Sequence, residues 1–187
     1  MTQRPFVLLD RDGTIVESNV NEDYLTHPDH LRLIDHAATG LRSLVELGSS
    51  LIVVTNQSAI ARGMFDEARL GQIHQRMTEL LADQGVPLAA IYHCPHHPDD
   101  NCNCRKPHPG MVEQAAARFG FDPAESFVVG DNACDMQLGR AVGAATVLVR
   151  TGYGREQEAA GLDADFVADN LEEAAKLIIS RAGQPNK

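Results

Sequence analysis

What this sequence lacks narrows it first. No apolar run among its 187 residues approaches the roughly 20 needed to cross a bilayer. Phe6-Val7-Leu8-Leu9 is also too short for a signal-peptide core. A cytoplasmic chain with no membrane partner is therefore expected. Positive charge is scarce: 16 Lys and Arg stand against 26 Asp and Glu, for a formal net charge of -10. Such a surface repels phosphodiester backbones, so no nucleic-acid partner is expected. It also repels phosphorylated metabolites, so a phosphate site here needs its own cations and metal. Cysteines number only four, and in a reducing compartment they point to metal or spare thiols rather than a disulfide framework. No internal repeat, low-complexity tract or linker-like shift divides the chain. One domain over 1–187, acting as a monomer and with a tail at 183–187 that frays, is the expectation.

What is present alternates. Short apolar or β-branched runs recur at Phe6-Val7-Leu8-Leu9, Leu51-Ile52-Val53-Val54, Phe127-Val128-Val129, Thr146-Val147-Leu148-Val149 and Phe166-Val167. None alternates cleanly with polar residues, which suits strands buried on both faces. Between them, helical spacing groups Leu41, Leu44, Val45 and Leu47 before Gly48, and Leu70, Ile73, Met77, Leu80 and Leu81 before Gly85. Met111, Ala115, Ala116 and Phe119 form a third set, and Leu171, Ala174, Ala175, Ile178 and Ile179 a fourth. This order predicts an α/β fold with a Rossmann-like, doubly wound parallel sheet. Such sheets bind ligands beyond the carboxyl ends of their strands. The segments Asp10-Arg11-Asp12-Gly13-Thr14, Thr55-Asn56-Gln57-Ser58 and Gly130-Asp131-Asn132 follow three of the runs, so all three should meet at one edge.

Those segments carry chemistry. Asp10 directly follows a buried run, where a rigidly held carboxylate can attack phosphorus. Asp12, two residues on and beyond the same strand exit, can protonate a leaving alkoxide and later deprotonate water. Acids so close suppress each other's ionisation unless a cation intervenes, and magnesium prefers oxygen ligands. Asp131 supplies a third carboxylate, with Asp135 a weaker candidate. Taken alone, Asp-x-Asp-Gly can equally be an ordinary surface turn.

A second cluster lies at about 93–108. Cys94, His96, Cys102 and Cys104 provide three thiolates and an imidazole, a closed set of the kind that holds structural zinc. His93 and His97 compete as ligands, while Cys134 lies apart as a small, partly buried side chain. Arg105 and Lys106 follow the last proposed ligand, so the metal would aim two cations into the pocket. Arg105 suits a forked grip on phosphate or sugar oxygens, and Lys106 acts as a point charge.

Together, Asp10-x-Asp12-Gly13-Thr14, Thr55, Lys106 and Gly130-Asp131-x-x-x-Asp135 resemble the four motifs of the haloacid dehalogenase (HAD) superfamily. The resemblance implies Asp10 as nucleophile, Asp12 as general acid and base, and Thr55 and Lys106 as stabilisers of the phosphoryl group. Magnesium would be held by the Asp10 side chain, the Asp12 backbone carbonyl and Asp131. Within that superfamily, Thr55-Asn56-Gln57-Ser58-Ala59-Ile60-Ala61-Arg62-Gly63, the Cys/His loop and Arg105-Lys106-Pro107-His108-Pro109-Gly110 resemble the heptose 1,7-bisphosphate 7-phosphatases. Such enzymes feed nucleotide-activated heptose for lipopolysaccharide or other surface glycans. The resemblance brings Thr55, Asn56, Gln57, Ser58, Arg105, Lys106 and Asn132 to the substrate. It also leads one to expect a lysine where Asn132 stands.

Histidinol-phosphate phosphatases resemble the chain in Asp-x-Asp-Gly-Thr and a similar loop, and are the alternative. Polynucleotide 3′-phosphatases are disfavoured by charge. A zinc-stabilised binding module with a decayed site is opposed by the joint presence of Asp10, Asp12, Asp131 and Lys106. About twenty residues separate Asp12 from the helix near Ala37, leaving no room for a full cap domain. Loops such as 21–24 are then expected to shape the entrance.

Overall fold

The computed structural model describes residues 4–18 and 24–183. Of the expected entrance loop only Tyr24 falls within them, and the tail beyond Gly183 lies outside the described residues. Six strands, β1 (Phe6–Leu9), β2 (Ser50–Asn56), β3 (Ala90–Cys94), β4 (Phe127–Gly130), β5 (Ala145–Val149) and β6 (Phe166–Ala168), form one parallel sheet. Their order is β3-β2-β1-β4-β5-β6. The chain winds outward from β1 to β3, then returns to lay β4 on the other side of β1. That reversal opens a crevice beyond the ends of β1 and β4. Register fixes the partners: Leu9 stands opposite Val53 of β2 and Val129 of β4.

Among the described residues, six α-helices cover the two faces: α1 (Ala37–Leu47), α2 (Glu67–Ala82), α3 (Gly110–Phe119), α4 (Ala133–Val142), α5 (Gly154–Ala159) and α6 (Leu171–Ala182). Strand side chains alternate between faces, so Val7 and Leu9 pack with Leu41, Ile73, Met77 and Ile178 of α1, α2 and α6. Leu8 joins Ile52, Val128, Met111, Val112 and Leu138 on the side of α3 and α4. Both faces being apolar explains why these runs showed no polar alternation.

Local chemistry sets the helix ends. The Asp66 carboxylate accepts from the Arg69 N–H at 2.8 Å and caps α2. Gly48, at φ 91°, ends α1 in the left-handed region. Helices α1 and α6 meet at Gly40, where an added Cβ would overlap the Leu171 carbonyl.

Three elements escaped the sequence reading. Strand β3 is an edge strand, and all but its last residue are only half-buried; its short apolar stretch Ala90-Ile91-Tyr92 holds one β-branched residue and runs straight into the His93-Cys94 segment that reads as a metal site. Helix α4 starts at Ala133, inside the Gly130–Asp135 stretch that reads as site rather than scaffold. Helix α5 is short and polar, burying only Gly154. Between β1 and α1 the described residues hold only a 3-10 turn at Pro28–His30 and isolated bridges, consistent with the absence of a cap domain.

Candidate active site

Asp10 leaves β1 with its N–H donated to the Val129 carbonyl of β4 at 2.9 Å. The strand pairing therefore anchors its backbone at the crevice. Its Oδ1 accepts from the Arg11 N–H and from Lys106 Nζ, each at 2.7 Å. Lys106 also donates to Asp135 Oδ1 at 2.7 Å. Asp131, at the exit of β4, accepts from the Tyr153 N–H through Oδ2 at 2.8 Å. A Cβ added to either Gly13 or Gly152 would overlap that carboxylate. The two glycines thus let the backbone close on Asp131 from both sides, and the Thr151 hydroxyl donating to the Gly13 carbonyl at 2.6 Å ties them together.

One carboxylate oxygen from each of Asp10, Asp131 and Asp135 lies within 4.8 Å of the others. Burial pushes the Asp10 carboxyl up to about 7, with Lys106 opposing and Asp135 and Asp12 reinforcing the rise. Burial, then Asp10 and Asp135, push Asp131 up to about 8. For Lys106, burial disfavours the ammonium, but Asp10 and Asp135 outweigh it and hold the charge well above the usual lysine range. Buried, crowded oxygens of this kind fit a hard divalent cation. Asp135 is otherwise committed: Oδ1 meets Lys106, and Oδ2 accepts from the Asn132 N–H at 3.1 Å. It orients Lys106 and the start of α4.

Asp12 does not join that cluster through its side chain. Its carboxylate receives a fork from Arg11, with Nη2 at 2.9 and 2.8 Å and Nε at 3.1 Å from both oxygens. Gln57 Nε2 donates to Asp12 Oδ2 at 2.8 Å and to Thr55 Oγ1 at 2.9 Å. Arg11 Nη2 returns to Gln57 Oε1 at 2.9 Å, and Arg11 Nη1 lies 3.2 Å from His74 Nε2 on α2. Sequence reasoning singled out neither Arg11 nor His74. The available signal was a lone arginine between two acids at the mouth of a buried strand.

A cleft of about 360 Å³ opens over these groups, lined by Asp10, Asp12, Ser18, Tyr24, Leu25, Thr55, Asn56, Arg105, Lys106, Asp131, Asn132, Cys134 and Tyr153. Thr55, Asn56, Arg105, Lys106 and Asn132 therefore face one space. Arg105 Nη1 is buried without a hydrogen-bond partner among the described residues. Gln57 and Ser58, also expected at substrate, are buried outside the lining. Gln57 braces Asp12 and Thr55, and Ser58 Oγ meets the Tyr24 hydroxyl at 3.2 Å. Asn56 clamps the backbone of Lys106, accepting from its N–H at 3.0 Å and donating to its carbonyl at 3.1 Å.

Cys94, at the end of β3, converges with His96, Cys102 and Cys104. Cys94 Sγ lies 3.5 Å from both His96 Nδ1 and Cys102 Sγ; Cys104 Sγ lies 3.1 Å from His96 Nδ1 and 3.6 Å from Cys102 Sγ. Tetrahedral zinc with sulfur at about 2.3 Å would separate its ligand atoms by about 3.8 Å, so the set is close to binding geometry. His93 and His97 lie outside it. His93 pairs with Glu67 at 2.9 Å, and His97 caps the turn at Pro98–Asp100.

Comparison with known proteins agrees with this geometry. An HAD-hydrolase-like family model matches residues 103–174. The D-glycero-beta-D-manno-heptose-1,7-bisphosphate 7-phosphatase of Yersinia pestis is 45% identical, covering 97% of this chain and 99% of its own. The protein of the same name from Escherichia coli K12 is 43% identical, with 93% of each chain covered. The crystal structure of D,D-heptose 1,7-bisphosphate phosphatase from B. bronchiseptica, complexed with magnesium and phosphate, superposes with a TM-score of 0.88. That protein is 36% identical, with 95% of this chain and 99% of its own covered.

Proposed function

Because this chain belongs to the D-glycero-β-D-manno-heptose-1,7-bisphosphate 7-phosphatase family of HAD-like hydrolases, we propose that it hydrolyses the 7-phosphate of that heptose bisphosphate. One observation carries the reading: the Asp10 carboxylate, 2.7 Å from a buried Lys106, sits at the cleft floor beside Asp131.

Each residue then has a task. The Asp10 carboxylate attacks phosphorus and the ester P–O bond breaks, leaving an aspartyl-phosphate. Asp12, protonated, gives its proton to the departing sugar oxygen. It then takes one from the water that displaces Asp10 and frees inorganic phosphate. Thr55 Oγ accepts from Gln57, so its own hydrogen is free for a phosphoryl oxygen. Lys106 and Arg105 neutralise charge on the transferring group. Asp10, the Asp12 carbonyl and Asp131 would hold magnesium, which supplies Lewis-acid polarisation and offsets repulsion between carboxylate and phosphate. Zinc on Cys94, His96, Cys102 and Cys104 would fix the loop carrying both cations. All these groups come from one chain, so the reading needs no second copy. Thiolate ligands, with Cys94 buried and Cys102 and Cys104 half-buried, suit a reducing, cytoplasmic setting. No helix among the described residues is long and apolar enough to cross a membrane.

The test is magnesium-dependent phosphate release, comparing wild type with Asp10→Asn. A loss of at least about a thousandfold is expected from removing a covalent nucleophile, and equal rates would sink the reading. A panel of both heptose 1,7-bisphosphate anomers and histidinol phosphate tests the substrate. A higher kcat/KM on histidinol phosphate would overturn the substrate while leaving the chemistry.

A further inference from the structure

Arg11 is the largest fully buried side chain in the described protein, at 1% exposure. It does not line the cleft, so its charge is not offered to substrate. A guanidinium away from water is costly unless its donors are satisfied. Here the fork is given to Asp12, a side chain that is itself 33% exposed and otherwise held, among the described residues, by Gln57 Nε2 alone. The two remaining contacts brace the arginine. Gln57 is locked in one amide orientation, Oε1 toward Arg11 and Nε2 toward Asp12 and Thr55. His74, from the middle of α2, meets Nη1. Since a guanidinium has only donors, His74 must accept there through an unprotonated Nε2. Burial first, then Arg11 and His93, push the imidazole down to about 3, so it stays neutral in this role.

We propose that Arg11, seated by His74 and Gln57, is a positioning residue that holds the Asp12 carboxyl where it can serve the leaving oxygen. The inference deepens the reading of Asp12 as general acid and rests on it. A cation serving only the fold has no need to fork onto a cleft carboxylate. Without the fork, Asp12 keeps a single contact to Gln57 and can reach other rotamers, and misplacement of a reacting group by about 1 Å costs on the order of a hundredfold.

The experiment compares kcat/KM for heptose bisphosphate with kcat/KM for p-nitrophenyl phosphate. This constant reports steps up to enzyme phosphorylation, where Asp12 acts only as acid, and nitrophenolate departs without a proton. Arg11→Met is expected to lower the sugar-phosphate value about 10- to 100-fold, and His74→Leu about 3- to 10-fold. Both should leave the nitrophenyl ester within about threefold. His74→Gln, which returns an acceptor oxygen toward Nη1, should recover most of the loss. Equal losses on both substrates, or no loss on either, would overturn the proposal. If Arg11→Met does not fold, the His74 pair decides alone. Asp12→Asn separates the two levels. If it shows no preferential loss on the sugar phosphate, the acid role fails and takes the inference with it. If it shows that loss while the Arg11 and His74 variants do not, only the inference fails.

Discussion

Magnesium affinity should depend steeply on pH, and the carboxylate cluster sets how steeply. In the metal-free protein, burial holds Asp10 up to about 7 and Asp131 up to about 8. Both side chains must be ionised to bind the cation, so raising pH tightens binding. Between pH 6 and pH 8 the ionised fraction of Asp10 rises about tenfold. If the Asp131 proton must also leave, the rise is steeper still, since an ionised Asp10 raises Asp131. Calorimetric titration of the enzyme with magnesium at pH 6, 7 and 8, in two buffers of different protonation heat, gives both affinity and protons released. A change below about threefold across this range would refute the reasoning. It would mean that Lys106 and the other local cations keep both carboxylates ionised despite burial.

The same linkage has a sign for stability. Both folded-state values lie above the ordinary aspartate value of 3.8, so the metal-free fold binds more protons than the unfolded chain. The resulting stabilisation is complete below about pH 3.8. It is lost as pH rises through about 7 for Asp10 and about 8 for Asp131, at up to roughly 1.4 kcal/mol per pH unit and group. Chelated enzyme should therefore melt lower at pH 8 than at pH 6, and magnesium should raise the melting temperature more at pH 8.

Other outcomes follow from other parts of the molecule. Cys104→Ser removes one of four clustered ligands. Bound zinc should fall below about half an equivalent and KM for the bisphosphate should rise; metal analysis and steady-state kinetics check both. Gly40→Ala drives a methyl group into the Leu171 carbonyl. A cost of about 1–3 kcal/mol, or roughly 4–8 °C in Tm at its middle, is expected with kcat unchanged, read by thermal denaturation and assay.

Legibility followed burial. Strands β1, β2, β4 and β5 are enclosed on two faces, so their residues appear as apolar, β-branched runs; the half-buried edge strand β6 still showed as Phe166-Val167, whereas β3, with Ile91 as its one β-branched residue, did not stand out. Asp10 and Asp131 were readable because each directly follows such a run, where the topology admits few destinations. Arg11 was not. Spacing cannot say whether a charged residue at a strand exit turns outward or inward, and here the choice depends on His74, which is 63 residues away. Gln57 and Ser58 show the same limit: a polar segment after a strand can face the cleft or brace what faces it.

The path of the Cys/His loop explains why a metal held there would matter to the chemistry. Cys94 ends β3, and Asp10 leaves β1, with β2 between them. At about 4.8 Å per strand the loop must carry Lys106 back across roughly 10 Å of sheet edge. It is fixed at two points on the way. The Cys/His cluster gathers its start and end around Cys94, and Asn56, the last residue of β2, grips the Lys106 backbone from both sides. Neither point alone defines the direction of the lysine. A clamp at Asn56 leaves the preceding segment free to swing, while a metal at Cys104 still leaves Arg105 as a hinge before Lys106. With both in place, the ammonium is brought between Asp10 and Asp135 and Arg105 to the cleft. Loss of the metal should therefore register in substrate affinity through Arg105 before it registers in Lys106, which retains the Asn56 clamp and its two carboxylates.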